Sequence, residues 1–316
     1  VGLTARAADD EPGQRVEGRP VIVGEILFDV FPDGEKVLGG APLNVAWHLD
    51  AFGLNPLMVS RIGDDDLGNL ALEILNAWGI DCSAVQIDPV APTGRVAVEL
   101  DRGVPRFDIV DDQAYDRLDG EIARGAVDGF RPALLYHGSL IARRRTTGRA
   151  LQSLRKRLAA PVFVDVNLRE PWWDREPIIE LIRGARWVKL NDDELQQLSQ
   201  QMFDSTGSGV ATAAAELSRR HGVDEVIVTR GDRGALAWVG DRSVAGRALR
   251  DVEIVDTVGA GDAFSAVWIM GQLRAWSPET TLTRALDFAA AICGSRGATT
   301  ADRGLYDRHL YAWRFA

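Results

Sequence analysis

Apolar residues fall in short, nearly unbroken runs, separated by stretches in which they recur every three or four positions. The runs are Val21–Val30, Leu57–Ile62, Ala133–Tyr136, Val162–Val166, Trp187–Leu190, Val226–Thr229 and Ala235–Val239. The periodic stretches are Asn69–Trp78, Thr147–Leu158, Gly209–His221 and Glu279–Cys293. Unbroken apolar strands alternating with amphipathic helices predict a parallel sheet covered on both faces. Right-handed crossovers place the helices on both sides, and ligands then bind beyond the carboxyl ends of the strands.

Two segments break the alternation. Thr93–Leu100 and Pro105–Val110 read as strands joined by Asp101-Arg102-Gly103-Val104, a hairpin signal. Phe28–Val37 has the same character around Pro32-Asp33-Gly34. Together they predict a small β insertion, from about 28–38 and 93–110, in one α/β domain over residues 20–316. The polar, charged segment 1–19 reads as a loose tail.

Composition narrows the class. The chain of 316 residues is 46% hydrophobic and 26% charged, which suits a globular protein with a sizeable core. A net charge of −10 weighs against broad binding to nucleic acid or anionic membranes. No apolar run reaches the length of a membrane span. Cys82 and Cys293 make neither a disulfide framework nor a metal spacing, so a reducing cytoplasm is the expected compartment.

The candidate chemistry sits at Asp256-Thr257-Val258-Gly259-Ala260-Gly261-Asp262. A strand-like lead (Val252, Ile254, Val255) runs into a helical pattern through Ala263, Phe264, Val267, Trp268 and Gly271. Paired glycines let the backbone approach a ligand, and a helix starting there aims free N–H groups at an anion. Asp262 at the mouth of such a hole is either a helix cap or a base for a hydroxyl nucleophile. A second Gly-Gly turn, Gly39-Gly40-Ala41-Pro42-Leu43-Asn44, enters a helix whose Val45, Leu49 and Phe52 share a face, with Gly53 as C-cap. Strand Leu57–Ile62 then leads to Gly63-Asp64-Asp65-Asp66-Leu67-Gly68. With both motifs present, the chain resembles the ribokinase-like (PfkB) sugar kinase family from about Val21 to its last helices.

The resemblance implies a ribokinase-like fold in which the β insertion is a lid over the sugar. It implies Asp262 as catalytic base and Gly259, Ala260 and Gly261 as the phosphoryl-binding turn. Asp29 ends the first strand; carboxylates suit sugars because they accept hydrogen bonds from neighbouring hydroxyls. The family places sugar contacts at Asp29, Gly39, Gly40 and Asn44, though Asn44 also reads as a helix cap. Asp165-Val166-Asn167-Leu168-Arg169, followed by Trp172 and Trp173, resembles fructokinases. Arg169 there serves either the substrate or a structural ion pair. Lys189-Leu190-Asn191-Asp192-Asp193-Glu194 matches an Asn-x-x-Glu motif, which implies that Asn191 faces the nucleotide and Glu194 holds Mg2+ through water. Acidic residues at a helix start also favour its dipole with no metal. Thr229, Gly231 and Gly234 match a nucleotide loop, and Ala289–Ile292 is either an adenine wall or packed core. Asp256 is the candidate K+ site. No Walker-type P-loop or protein-kinase element is present. The implied protein is a monomer or homodimer that binds ATP, Mg2+ and a sugar, with K+ as a further candidate. The expected reaction is fructose to fructose 6-phosphate. Alternatives are 2-keto-3-deoxygluconate, ribose or a nucleoside as acceptor, and a non-catalytic nucleotide- or sugar-binding member.

Overall fold

The computed structural model describes residues 17–101, 104–199, 209–248 and 253–314. A nine-stranded sheet runs through the centre. Its strands are β1 (Arg19–Val23), β4 (Leu57–Gly63), β5 (Asp81–Asp88), β8 (Pro132–Gly138), β9 (Val162–Asp165), β10 (Trp187–Asn191), β11 (Glu225–Thr229), β12 (Ala235–Val239) and β13 (Arg242–Gly246), in the order β13-β12-β11-β10-β9-β8-β1-β4-β5. From β11 to β5 every pairing is parallel. β12 and β13 close the other edge with antiparallel pairings. The β11–β12 link is one short 3-10 turn, Gly231–Arg233, and parallel crossovers need a dozen residues or more.

Strand alternation divides the core. Ile22 packs with α1 (Ala41–Ala51), α8 (Ala260–Leu273) and α9 (Pro278–Cys293), whereas Val21 and Val23 face the layer of α4 (Arg145–Leu158) and α7 (Val210–His221). α2 (Asp66–Trp78) and α10 (Arg303–Arg314) complete the first layer; α3 (Gly120–Ala126), α5 (Arg175–Ile182) and α6 (Asp192–Ser199) complete the second. α8 is buried on all sides from Ala263 to Gly271, as a helix with apolar residues all round should be.

The run Val21–Val30 is not one strand. It breaks at Gly24-Glu25-Ile26, and β2 (Leu27–Val30) enters a separate four-stranded sheet with β3 (Lys36–Gly39), β6 (Gly94–Asp101) and β7 (Val104–Ile109), in the order β3-β2-β6-β7. This is the β insertion expected from the two hairpins. Asp65 secures its root: the carboxylate caps α2 through the Gly68 N–H (2.8 Å) and accepts from both the N–H and the hydroxyl of Thr93, at 2.8 and 2.6 Å. The Gly63–Gly68 motif therefore anchors β6.

Three further expectations change. Residues 1–16 of the predicted tail lie outside the described residues, but its end is ordered sheet, since β1 begins at Arg19, which pairs with Asp81 at 2.9 Å. The lead before the Gly-Ala-Gly turn is not a strand over its described part. Ile254 and Val255 are exposed, and the N–H groups of Val255 and Asp256 bond to the Cys293 carbonyl at the end of α9 rather than to a sheet; Val252 lies outside the described residues. Neither Asp262 nor Asn44 caps a helix: the N-caps of α8 and α1 are Gly259 and Gly40.

Candidate active site

A cavity of about 830 Å³ opens at the carboxyl ends of the central strands, beneath the four-stranded sheet. Asp29, Gly40 and Asn44 line one end; Asn191, Glu194 and Thr229 line the other; Gly259, Gly261 and Asp262 lie on its wall. Chain segments more than two hundred residues apart thus converge. Gly39, Gly231 and Gly234 do not line it: Gly39 ends β3 beside Asp29, and the other two shape the turn after β11.

Asp262 is the third residue of α8 and is half-buried, on the cavity wall. One oxygen accepts from Asn44 Nδ2 at 2.8 Å, joining α1 to α8. Burial, reinforced by the charge of Asp165, pushes its carboxyl up to about 7, against the lowering influence of Asn44, Lys189 and Arg169. A carboxyl poised there can take a proton near neutral pH. Beside it, the N–H groups of Gly261 and Asp262 donate to no acceptor among the described residues, as the first turn of a helix leaves them. The first glycine of the turn admits no side chain. Gly259 has φ 77°, and a Cβ there would lie 2.4 Å from Ala298 Cα. A Cβ on Gly261 would come 3.4 Å from the Lys189 ammonium.

Lys189 and Asp165 form the floor. They stand opposite each other on β10 and β9, with Lys189 Nζ 2.8 and 2.9 Å from the two carboxylate oxygens. Ser265 Oγ and Tyr136 Oη also donate to Asp165, at 2.8 and 3.3 Å. Glu25, at the break between β1 and β2, is another buried acid of the cavity, and burial pushes it up to about 7. Burial likewise raises Asp29, to about 6. Sequence reasoning met Asp165 and Lys189 only as members of motifs, gave neither a role of its own, and assigned none to Glu25; their partners lie far away in the chain.

The remaining candidates have defined surroundings. Arg169 is exposed at the cavity wall and makes no ion pair among the described residues, so the structural ion-pair reading does not hold. Glu194 accepts from the N–H groups of Leu168 and Asn191, at 2.7 and 2.8 Å, and Asn191 Oδ1 accepts from the Glu194 N–H at 2.8 Å. Burial raises the Glu194 pKa above the ordinary carboxylate range. Asp256 accepts from the N–H groups of Val258 (3.0 Å) and Gly297 (2.9 Å), tying the turn to the segment after α9. Among the described residues no cluster of three His, Cys, Asp or Glu side chains is arranged to hold a metal, and no helix is long and apolar enough to cross a membrane.

Residues 29–303 match the family model for pfkB family carbohydrate kinases. A fructokinase of Klebsiella pneumoniae is 30% identical over 300 residues, covering 90% of this chain and 94% of that protein. A sugar kinase of Pyrococcus horikoshii, solved in complex with ATP, superposes with a TM-score of 0.72 at 25% identity, over 88% of this chain and 93% of that one. A Vibrio cholerae fructokinase double mutant, solved with fructose, ADP and potassium ion, gives a TM-score of 0.76 at 25% identity, over 93% and 99% of the two chains. The large, mostly parallel sheet with its small separate sheet is the ribokinase-like architecture, and the chain belongs to the PfkB family of carbohydrate kinases.

Proposed function

We propose that this chain transfers the γ-phosphoryl group of ATP to a sugar hydroxyl, with D-fructose as acceptor and fructose 6-phosphate as product. The observation that carries the reading is Asp262, half-buried and free of any capping role beside two unfilled N–H groups, in one cavity with Asp29. Asp262 takes the proton as the acceptor oxygen attacks the γ-phosphorus, and ADP leaves. The N–H groups of Gly261 and Asp262, with the Lys189 charge behind them, stabilise the moving phosphoryl group. Asp29 and Asn44, with the Gly39-Gly40 turn, orient the sugar, and Arg169 faces it. Asn191, Thr229 and the Gly231–Gly234 turn hold the nucleotide. When bound, Mg2+ neutralises phosphate charge. Glu194 fits such an ion through its waters: both of its oxygens already bond backbone N–H groups and keep lone pairs free. Asp256 is the corresponding choice for K+, the ion bound to the Vibrio cholerae fructokinase. The four-stranded sheet serves as a lid that excludes water from transfer.

The similarity to fructokinases favours fructose. The deciding experiment measures ADP release with Mg-ATP, with and without K+, on fructose, ribose, 2-keto-3-deoxygluconate and a nucleoside. Fructose should give the highest kcat/KM; no turnover on any member sinks the reading.

Two further results are expected. Asp29→Ala should raise the KM for fructose roughly tenfold or more and leave the KM for ATP nearly unchanged, since a hydrogen bond to a charged group is worth about 1.5–3 kcal/mol. Equal sugar kinetics in variant and wild type would remove Asp29 from the site. The kcat/KM for fructose should also rise with pH and level off above about 7, because the base must be ionised in the free enzyme. Asp262 and Glu25 act on each other, so the apparent value belongs to the pair. A profile flat from about pH 5 to 8 would exclude a carboxylate base with its pKa near neutrality.

A further inference from the structure

Four buried polar atoms beside the acceptor end of the cavity have no hydrogen-bond partner among the described residues: Glu25 Oε2, Tyr115 Oη, Arg143 Nη1 and Trp172 Nε1. Arg143 is the residue common to the other three. The Arg143 guanidinium lies 4.5 Å from the centre of the Trp172 ring and 5.1 Å from that of Tyr115, and its charge acts on Glu25. Leaving a buried donor or acceptor unpaired costs about 1–3 kcal/mol. Complementary groups left open side by side therefore describe a network one small movement short of completion.

The rest of Arg143 is engaged. Nε and Nη2 bind the two oxygens of Asp116 at 2.7 and 2.6 Å, and Nη2 also donates to the Val110 carbonyl at 2.9 Å. Val110 follows β7 directly, so this guanidinium holds the point where the chain leaves the four-stranded sheet. Glu25 stands where the chain enters that sheet from β1, and its other side lines the cavity. A Cβ on Gly40 would lie 2.5 Å from the Glu25 carbonyl oxygen, which leaves this backbone little freedom. The entry and the exit of the small sheet thus meet around Arg143.

We propose that Arg143 is a positioning residue that acts through Glu25 to couple acceptor binding to closure of the four-stranded sheet. An acceptor in the cavity turns Glu25 against the open valences of Arg143 and Tyr115, and the completed network holds the exit at Val110 in its closed place. This inference rests on the lid reading above.

The test compares wild type, Arg143→Lys and Tyr115→Phe by hydrogen exchange of 94–101 and 104–109. Exchange is followed with a non-hydrolysable ATP analogue, with and without D-fructose, or with the best-used member of the acceptor panel. Arg143→Lys keeps the charge and loses the fork. Tyr115→Phe removes one oxygen and no packing, and carries the test if the first variant does not fold. Both should lose at least tenfold of the acceptor-induced protection, keep the ATP KM within about twofold, and release more ADP per sugar phosphorylated than wild type. Full acceptor-induced protection in both variants would overturn the coupling, as would equal losses of ATP and acceptor affinity, which mark a structural role only. A wild type that gains no protection from any acceptor would overturn the lid reading and this inference together, while leaving phosphoryl transfer measurable by itself.

Discussion

Asp262→Asn should lower kcat by roughly 10²–10⁴-fold, the range for loss of a general base. The amide keeps the size of the carboxyl and can still accept from Asn44 Nδ2, the bond that joins α1 to α8. It cannot take a proton. ATP binding should persist, because the N–H groups beside it are untouched and one negative charge near the phosphates is gone. Stability supplies an independent signature. The folded-state pKa is raised, from 3.8 to about 7, so the folded protein holds this proton more tightly than the unfolded chain does. Burial of the charge therefore weighs on the fold increasingly as pH rises through that window. Asp262→Asn should raise Tm at pH above about 7, and this gain should fade toward pH 4. A folded variant that keeps most of its turnover would overturn the mechanism.

Lys189→Met should be the most damaging single change to stability. Lys189 and Asp165 are both buried, and the ammonium contacts both carboxylate oxygens. Removing one partner of a buried pair leaves the other charge uncompensated, at about 3–5 kcal/mol. Asp165 lies next to Asp262 electrostatically and raises its pKa. Loss of the ammonium should therefore also push the base further up and shift the rise of kcat/KM to higher pH. Asp165→Asn added to Lys189→Met should recover much of the stability, since the orphaned charge goes, but not the activity, since the cation behind the phosphoryl turn is still missing. Chemical denaturation of wild type and the two variants checks this. A single variant as stable as wild type would mean that the pair is not sealed from solvent.

The two glycine turns were legible because each has one position, Gly40 and Gly259, whose geometry strongly disfavours any side chain. Gly40 at φ 116° and Gly259 at φ 77° each press against backbone. The alternation of strands and helices was legible because a sheet covered on both faces needs apolar side chains on both faces. What escaped depends on register. Lys189 and Asp165 are 24 positions apart and meet only because β9 and β10 pair residue for residue at that point. β5 was missed because it is the edge strand of the central sheet, where buried Ala84 and Gln86 alternate with exposed Ser83 and Ile87. The lead before Gly259 misled because Ile254 and Val255 are apolar yet exposed, and apolarity alone does not say where a backbone finds its hydrogen bonds.

The burial of α8 on every side has a consequence for how the molecule comes apart. Native proteins open in pieces, first where little apolar area is covered and last in the core. The turn that precedes Asp262 is attached to a helix with no solvent face, so it shares the fate of the core. The small sheet lies outside the two core layers over most of its length, and Phe107 on its outer strand is half exposed. Thermal opening should therefore start at the small sheet. On the proposed assignment of the site, the acceptor end should loosen while the phosphoryl-transfer end keeps its shape, so that on heating acceptor binding should fail before nucleotide binding.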